Sequence, residues 1–369
     1  MGPVVDRSIF HLDRILSKPL TRDSLTKEEI GFLLDLRDEE DLARLFHTAR
    51  EIRHRHYGDA IFLYGFVYFS TWCQNDCAFC RYRRSNRLAE RYRKDKTEVL
   101  DIACQLAESG VHLIDLTMGE DPVVHRETDG LVDLVGSIKD QTGLPVMVSP
   151  GVVSQETLKA LHEGGADWYA CYQETHNRKL FGRLRPGQDY EQRFLRKRKA
   201  RELGLLIEEG ILAGVGEEID DIVASLEVIN DLGVHQMRVM TFVPQEGTPM
   251  AGCLSPSWRG ELAIIAVMRL LFPDRLIPAS LDVGGIRGLR ERLLAGANVV
   301  TSIIPPHAGL VGVSQSVLDV DEGYRTVTGV VPVLETMGLR KAAQDEYARW
   351  VCHERASMSD KNRHVGRMP

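Results

Sequence analysis

Three cysteines stand within eight residues, Cys73, Cys77 and Cys80, in the run Cys-Gln-Asn-Asp-Cys-Ala-Phe-Cys. Thiolates are soft ligands, and three this close together point to a bound metal. The spacing admits two chemistries. A structural zinc ion needs a fourth ligand, and the next candidates, Cys104 and His112, fall in a separate strand–helix unit. A four-iron cluster on three cysteines leaves one iron open to a substrate or cofactor. The remaining cysteines, Cys104, Cys171, Cys253 and Cys352, are scattered, and a total of seven argues against a disulfide framework.

A second set of polar residues emerges from strand parity. In 112–120, Ile114, Leu116 and Met118 alternate with Asp115, Thr117 and Gly119. In 276–282, Ile277, Ala279 and Leu281 alternate with Pro278, Ser280 and Asp282, and Arg238 alternates with Met237 and Val239. Successive side chains of a strand point to opposite faces. If the apolar faces pack on helices, Asp115, Arg238, Ser280 and Asp282 point inward. Buried charge is costly unless matched. One reading is an ion cluster in which Arg238 bridges Asp115 and Asp282; the other is a ligand site. Two carboxylates and one guanidinium sum to −1, which complements one carboxylate and two ammonium groups, as in lysine. A guanidinium suits a carboxylate through two parallel hydrogen bonds.

The elements that must carry these residues alternate. Residues 12–56 read as helical, with Ser24 and Thr26 before Lys27-Glu28-Glu29 as a helix start. Strands are predicted at 61–70, 112–120, 145–151, 168–174, 207–216, 236–242, 276–282 and 298–304. Helices are predicted between them, for example over 96–109, 154–164, 188–203, 219–232 and 257–272. Gly110, Gly143, Gly164, Gly204, Gly233 and Gly296 close many of the helices. Eight strands in strict alternation predict an α/β fold, a (β/α)8 TIM-type barrel with an N-terminal helical layer; an open doubly wound sheet is the alternative. The expected boundaries are 1–56 for the helical segment, 57–340 for the barrel, and 341–369 for a helix end with a polar tail from Met358. The net charge, 46 Lys+Arg against 53 Asp+Glu, is −7 and argues against nucleic-acid or anionic-membrane partners. No apolar run reaches a membrane span, and the start lacks signal-peptide organisation, so a cytoplasmic location is expected.

With Phe79 before its last cysteine, the C-x3-C-x2-C run is identified as the signature of the radical S-adenosylmethionine (SAM) superfamily. That resemblance implies a 4Fe-4S cluster on Cys73, Cys77 and Cys80. It also implies an open iron that chelates SAM, and release of a 5′-deoxyadenosyl radical. Met118-Gly119-Glu120 resembles the G-G-E element, with Met118 in place of the first glycine, and implies that Glu120 receives the SAM amino group. Gly210–Gly216 resembles the strand-five motif beside the adenine, which implicates Gly214. Ser149, Glu174 and Arg185 fall where related enzymes contact the ribose and carboxylate; each alone reads equally well as a turn residue or a salt-bridged charge.

From Leu25 to Leu339 the chain resembles the 3-methylornithine synthase family, lysine mutases that begin pyrrolysine biosynthesis. The resemblance is carried by DLTMGEDP (115–122), SPGV (149–152), YQET (172–175), LRPGQ (184–188), MRVMTFVPQEGTP (237–249), IPASLD (277–282) and GANVVTSI (296–303). It implies conversion of L-lysine, or a related diamino acid, by hydrogen abstraction, Cα–Cβ fragmentation and recombination. It also implies amino-acid contacts at Asp115, Arg238, Ser280 and Asp282, and an electron donor such as ferredoxin or flavodoxin. The rivals are a biotin-synthase-like or hydrogenase-maturation enzyme, and a non-catalytic zinc-bound binding protein. A sulfur inserter needs a second cluster, for which Cys104 and Cys171 are the candidates, although both read better as core thiols. Residues 305–322 have no clear counterpart and are expected to cover the barrel.

Overall fold

The computed structural model describes residues 12–315 and 317–365. Three helices come first: α1 (Leu12–Thr21), α2 (Lys27–Leu34) and α3 (Glu39–Tyr57). At the start of α2 the Thr26 hydroxyl accepts from Glu29 N, and the Glu29 carboxylate accepts from Thr26 N. This reciprocal cap satisfies two amides that the helix leaves unpaired.

The barrel then begins with β1 (Ala60–Ser70), α4 (Lys96–Ser109) and β2 (Leu113–Met118). It continues through α5 (Pro122–Arg126), α6 (Thr128–Thr142), β3 (Val146–Ser149), α7 (Gln155–Glu163) and β4 (Trp168–Ala170). Next come α8 (Arg178–Leu184), α9 (Tyr190–Glu202), β5 (Leu206–Ala213), α10 (Ile219–Leu232), β6 (Gln236–Thr241) and α11 (Trp258–Leu271). The last part holds β7 (Pro278–Ser280), α12 (Gly285–Leu294), β8 (Val299–Ile303), α13 (Val327–Thr336), a short β9 (Arg340–Lys341) and α14 (Gln344–Val365).

The eight main strands pair in parallel in the order β6-β5-β4-β3-β2-β1-β8-β7. The ends of that order meet at a single bridge, Gln236 with Leu276, sealed by Met237 N→Leu276 O (3.0 Å) and Leu276 N→His235 O (3.1 Å). The barrel is therefore joined at the bottom of the β6–β7 seam and splays toward its C-terminal mouth. The doubly wound alternative is excluded by this closure. Gly164 keeps φ −77, and it is Gly165 (φ 103) that makes the left-handed turn after α7.

The bottom of the barrel is filled by apolar and aromatic side chains. Phe62, Tyr64, Leu113, Met147, Trp168, Leu206, Leu276 and Val299 are all buried there. They pack with Tyr347, Val351 and Met358 of α14, with Trp350 stacked on Trp168 (5.8 Å) and the Tyr64 and Tyr347 hydroxyls 2.9 Å apart. Where a helix end and polar tail were expected, a 22-residue helix plugs the lower opening. Its Tyr347, Trp350, Val351 and Met358 recur at helical spacing among charged residues, which hides the apolar stripe in the composition. Residues 366–369 lie outside the described residues. No helix among those described is long and apolar enough to cross a membrane.

One ion pair ties the outer layer to the mouth. Glu261 of α11 and Arg292 of α12 are fully buried and paired, and Glu261 also accepts from Thr241 N (2.9 Å) at the end of β6. Removing one partner leaves an uncompensated buried charge. Glu261→Ala is expected to cost about 3–5 kcal/mol in a urea unfolding experiment; a loss near the surface-mutant range would show that Arg292 finds another partner.

Candidate active site

At the C-terminal mouth lies a cavity with ≈ 1150 Å³ of space free of protein, part of it continuous with solvent. Cys73, Cys77 and Cys80 all line one side, on the loop that leaves β1. The loop lies hard against the end of β2, and a Cβ on Gly119 would meet the Trp72 carbonyl oxygen at 2.2 Å and Cys73 Cβ at 3.0 Å. Glycine at 119 is what lets the two segments touch. Arg91 holds the loop from behind by donating to the carbonyls of Thr71, Tyr82, Arg83 and Asn86.

The remaining wall carries charge. Phe79, Glu120, Ser149, Glu174 and Arg185 all line the cavity. Glu174 takes φ 69, with its amide bonded to Gly210 O and its carbonyl to Leu212 N, so the chain beyond β4 bulges. Its carboxylate reaches Arg185 Nη2 at 2.6 Å. Burial raises the Glu174 carboxyl, against the pull of Arg185. Burial also opposes charge on Glu120, but Arg193, which donates to it, outweighs burial together with smaller contributions, and its carboxyl is held below the usual range. Ser149 Oγ donates to Ala170 O at 3.4 Å. Gly214 stands outside the lining; its amide donates to Glu217 Oε1 in the turn after β5, and Gly210, Ile211 and Leu212 form the wall instead.

Deeper in the barrel, Asp115, Arg238, Ser280 and Asp282 are all buried, on the same strand faces as the lower core. Their pairing differs from the expected bridge. Arg238 Nε donates to Glu208 Oε1 (2.8 Å) and Nη1 to Thr301 Oγ1 (3.0 Å), and Arg238 is the one member of the four that lines the cavity. Glu208 also accepts from the Tyr172 hydroxyl (2.8 Å). Asp282 instead pairs with Arg325 (3.0 Å) and accepts from the amides of Val313 and Ser314 at 2.9 and 2.6 Å. Ser280 Oγ lies 3.2 Å from Ser302 Oγ. Arg238 and Asp282 are not bridged, because each has its own buried counter-ion.

Glu208 and Arg325 are functional candidates that sequence reasoning missed. Glu208 shares inward parity with Gly210 and Leu212, so the signal was present in β5. Arg325 lies 43 residues from Asp282, on a stretch without strand or helix period, and carries no such signal. Cys104 sits on α4 against Gln141, whereas Cys171 lines the cavity wall with its sulfur 3.1 Å from Arg193 Nη1. Cys171 is thus a wall residue as well as a core thiol.

Residues 67–229 match the Radical SAM superfamily. The 3-methylornithine synthase of Methanosarcina acetivorans is 44% identical over 336 residues, covering 91% of this chain and 96% of that protein. A crystal structure of methylornithine synthase (PylB) superposes with a TM-score of 0.87 at 42% identity, over 91% of this chain and 99% of that one. The chain belongs to the 3-methylornithine synthase family of radical SAM enzymes. The [FeFe] hydrogenase maturase subunit HydE of Thermotoga maritima is also similar, at 32% identity over 78% of this chain and 82% of that protein. A family member of this kind is an enzyme whose cofactors are a 4Fe-4S cluster and SAM.

The cavity fits both groups. Three thiols open onto one cavity, and soft thiolates are the ligands an iron–sulfur cluster takes. Burial pushes the Cys73 thiol up to about 11, and burial with the neighbouring Cys77 and Cys73 pushes Cys80 up to about 12. As bare thiols they stay neutral, and the positive charge of bound iron is what makes them ligands. Beside them, Glu120, Glu174 and Arg185 line the same cavity with charges of both signs, as the amino and carboxylate ends of SAM require.

The segment 311–315 closes the cavity beside Arg238, with Val313 and Ser314 in its wall. It is seated by the Asp282–Arg325 pair and by Gln245 Nε2→Ser314 O (2.6 Å). A Cβ on Gly312 would fall 1.7 Å from Asp282 Oδ1, so the approach needs glycine there. Arg325→Leu is expected to speed amide exchange over 311–315 at least tenfold in hydrogen-exchange mass spectrometry, with slower change elsewhere. Unaltered protection would show that other contacts hold the segment.

Proposed function

We infer that the chain isomerises L-lysine to 3-methylornithine, with the cluster held by Cys73, Cys77 and Cys80. The observation that carries this is the coincidence of near full-length identity to 3-methylornithine synthase with a buried Arg238 at the floor of the cysteine-lined cavity. When bound, cluster and SAM supply a radical able to take hydrogen from an unactivated carbon.

The residues of this chain do the rest. Arg238, held level by Glu208 and Thr301, offers its outer edge to the substrate carboxylate. Asp115, beneath it, is the acid for an ammonium group. Ser280 and Asp282 stand buried behind the cavity wall, where Asp282 seats the segment that closes over the substrate. Glu120, Glu174, Ser149, Arg185 and Phe79 receive SAM, and Gly214 shapes the turn beneath the adenine side. Isomerisation by fragmentation needs both pieces of the substrate held in place and water kept out. The barrel holds the site, α14 plugs its lower end, and α2 and α3 brace its outside against α10 and α11. A reducing cytoplasm and a low-potential electron donor such as ferredoxin or flavodoxin suit this chemistry.

After anaerobic reconstitution, lysine deuterated at Cγ is expected to give 3-methylornithine with label in 5′-deoxyadenosine and in the product methyl group. Cys77→Ala is expected to abolish SAM cleavage, whereas Cys352→Ala keeps it. Product with all label retained at Cγ, or a sulfur-containing product, would overturn the reaction.

The pocket also sets a pH dependence. Burial, with Glu208 nearby, raises the Asp115 carboxyl to about 7. Ionised Asp115 attracts an ammonium group, and protonated Asp115 does not, so lysine binding weakens as pH falls through 7. Between pH 8 and 6 affinity is expected to drop roughly tenfold, measured by equilibrium binding under SAM, and Asp115→Asn is expected to flatten the profile. A sloping profile in Asp115→Asn would assign the titration elsewhere.

A further inference from the structure

Of the three cluster cysteines, Cys77 has surroundings the other two lack. Cys73 Sγ accepts a backbone amide, from Asn75 at 3.4 Å. Cys77 Sγ accepts two side-chain donors: Gln188 Nε2 at 3.1 Å and Arg185 Nη1 at 3.4 Å. Both come from one tight turn, Arg185-Pro186-Gly187-Gln188, closed by Gln188 N→Arg185 O at 3.1 Å, with Gly187 at φ 76. Proline followed by a left-handed glycine is the type II pattern, which sets the first and fourth side chains beside one another. The turn is fixed to the cysteine loop by Ala78 N→Leu184 O at 2.8 Å.

An amide could present either end to the sulfur, and its neighbours decide which. Gln188 Oε1 accepts from Arg193 Nη2 at 2.9 Å and from Arg185 Nη1 at 3.4 Å. A guanidinium has donors only, so the oxygen must face the two arginines and the NH2 must face Cys77. Arg193 is itself buried and paired with Glu120, so this orientation is anchored from the far side.

We propose that Gln188 sets the reduction potential of the cluster by donating a hydrogen bond to Cys77 Sγ. The inference rests on the cluster being held by Cys73, Cys77 and Cys80. Reduction brings one electron from an external one-electron donor into the cluster, which gains one negative charge while the donor is oxidised by one. That charge is shared with the cysteine sulfurs, and N–H donors aimed at a sulfur stabilise it. The Gln188 donor therefore raises the potential and eases the first electron transfer. Arg185 serves Cys77 as well, but it also pairs with Glu174 at the cavity wall, so its replacement disturbs two functions at once. Gln188 reaches Cys77 without itself lining the cavity.

The test is an EPR-monitored redox titration of the reconstituted full chain without SAM, with iron counted in the same samples. Gln188→Leu removes the donor and is expected to shift the reduction equilibrium about tenfold toward the oxidised cluster, which for a one-electron couple is about 59 mV more negative. Gln188→Glu keeps an acceptor for both arginines but turns an oxygen toward the sulfur, and it is expected to lower the potential at least as far. SAM affinity of the oxidised protein should stay within threefold of the parent in both, a result that a general loosening of the wall would not give. Parent-like potentials in both variants at parent-like iron content overturn the inference. Should Gln188→Leu fail to hold iron, the Gln188→Glu potential decides alone. A parent chain with no four-iron signal overturns the cluster assignment, and this inference with it.

Discussion

A carboxylate or guanidinium placed in the upper half of this barrel loses its water, and each one must recover that loss from a partner at hydrogen-bond distance. The upper half answers with a series of buried pairs: Arg238 with Glu208, Asp282 with Arg325, Glu174 with Arg185, Glu120 with Arg193 and Glu261 with Arg292. A further pair, Lys197 with Glu209 at 2.5 Å, lies behind β5, and Glu209 accepts the amides of Gln173 and Gly210 beside the Glu174 bulge. Such pairs contribute little net stability compared with apolar packing. What they impose is position, since moving either member strands the other.

The two ends of the barrel divide along this line. The lower end is filled by aromatic and aliphatic side chains and sealed by α14, so stability there comes from apolar burial. The upper end is opened by glycine-permitted contacts and strands that stop early. β4 and β7 have three residues each; beyond β4 the chain bulges before Glu174 rejoins β5, and beyond β7 it turns to present Asp282. Backbone that leaves the sheet needs side-chain partners for its amides, and the buried carboxylates supply them: Glu209 to Gln173 and Gly210, Asp282 to Val313 and Ser314.

This division explains what could be read from sequence. Alternating apolar residues and helix-closing glycines revealed the strands, and parity along β2, β6 and β7 sent Asp115, Arg238 and Ser280 inward. The cysteine spacing marked the loop after β1. Parity says which side a charge faces but not which counter-ion meets it. Glu208 was available to the same parity argument and completes the environment of Arg238. Arg325 was not, because a long connection without period joins it to Asp282. The strand ends were read too long at β4 and β7: at β4 a bulge breaks the ladder before Glu174 rejoins β5, and at β7 a lone bond from Leu281 N to Thr301 O follows the regular strand. The α14 plug was hidden because its apolar stripe is narrow and set among charged residues.

Adding the two missed residues changes what the pocket can do with charge. Asp115, Glu208 and Asp282 carry three potential negative charges, and Arg238 and Arg325 carry two positive ones. Arg325 is committed to Asp282, and Glu208 to Arg238, so neither pair has charge to spare. Among the described residues Asp115 meets no cation at hydrogen-bond distance; its carboxylate accepts from the Thr117 hydroxyl at 2.9 Å. The net excess of −1 therefore resides on Asp115, whose affinity for protons is raised by burial. An amino acid with two ammonium groups and one carboxylate brings the missing positive charge with it. A monoamino, monocarboxylic substrate brings none and would leave Asp115 either ionised without a partner or protonated. On the proposed function, selectivity for a diamino acid then rests on this one acid near Arg238, rather than on the shape of the cavity.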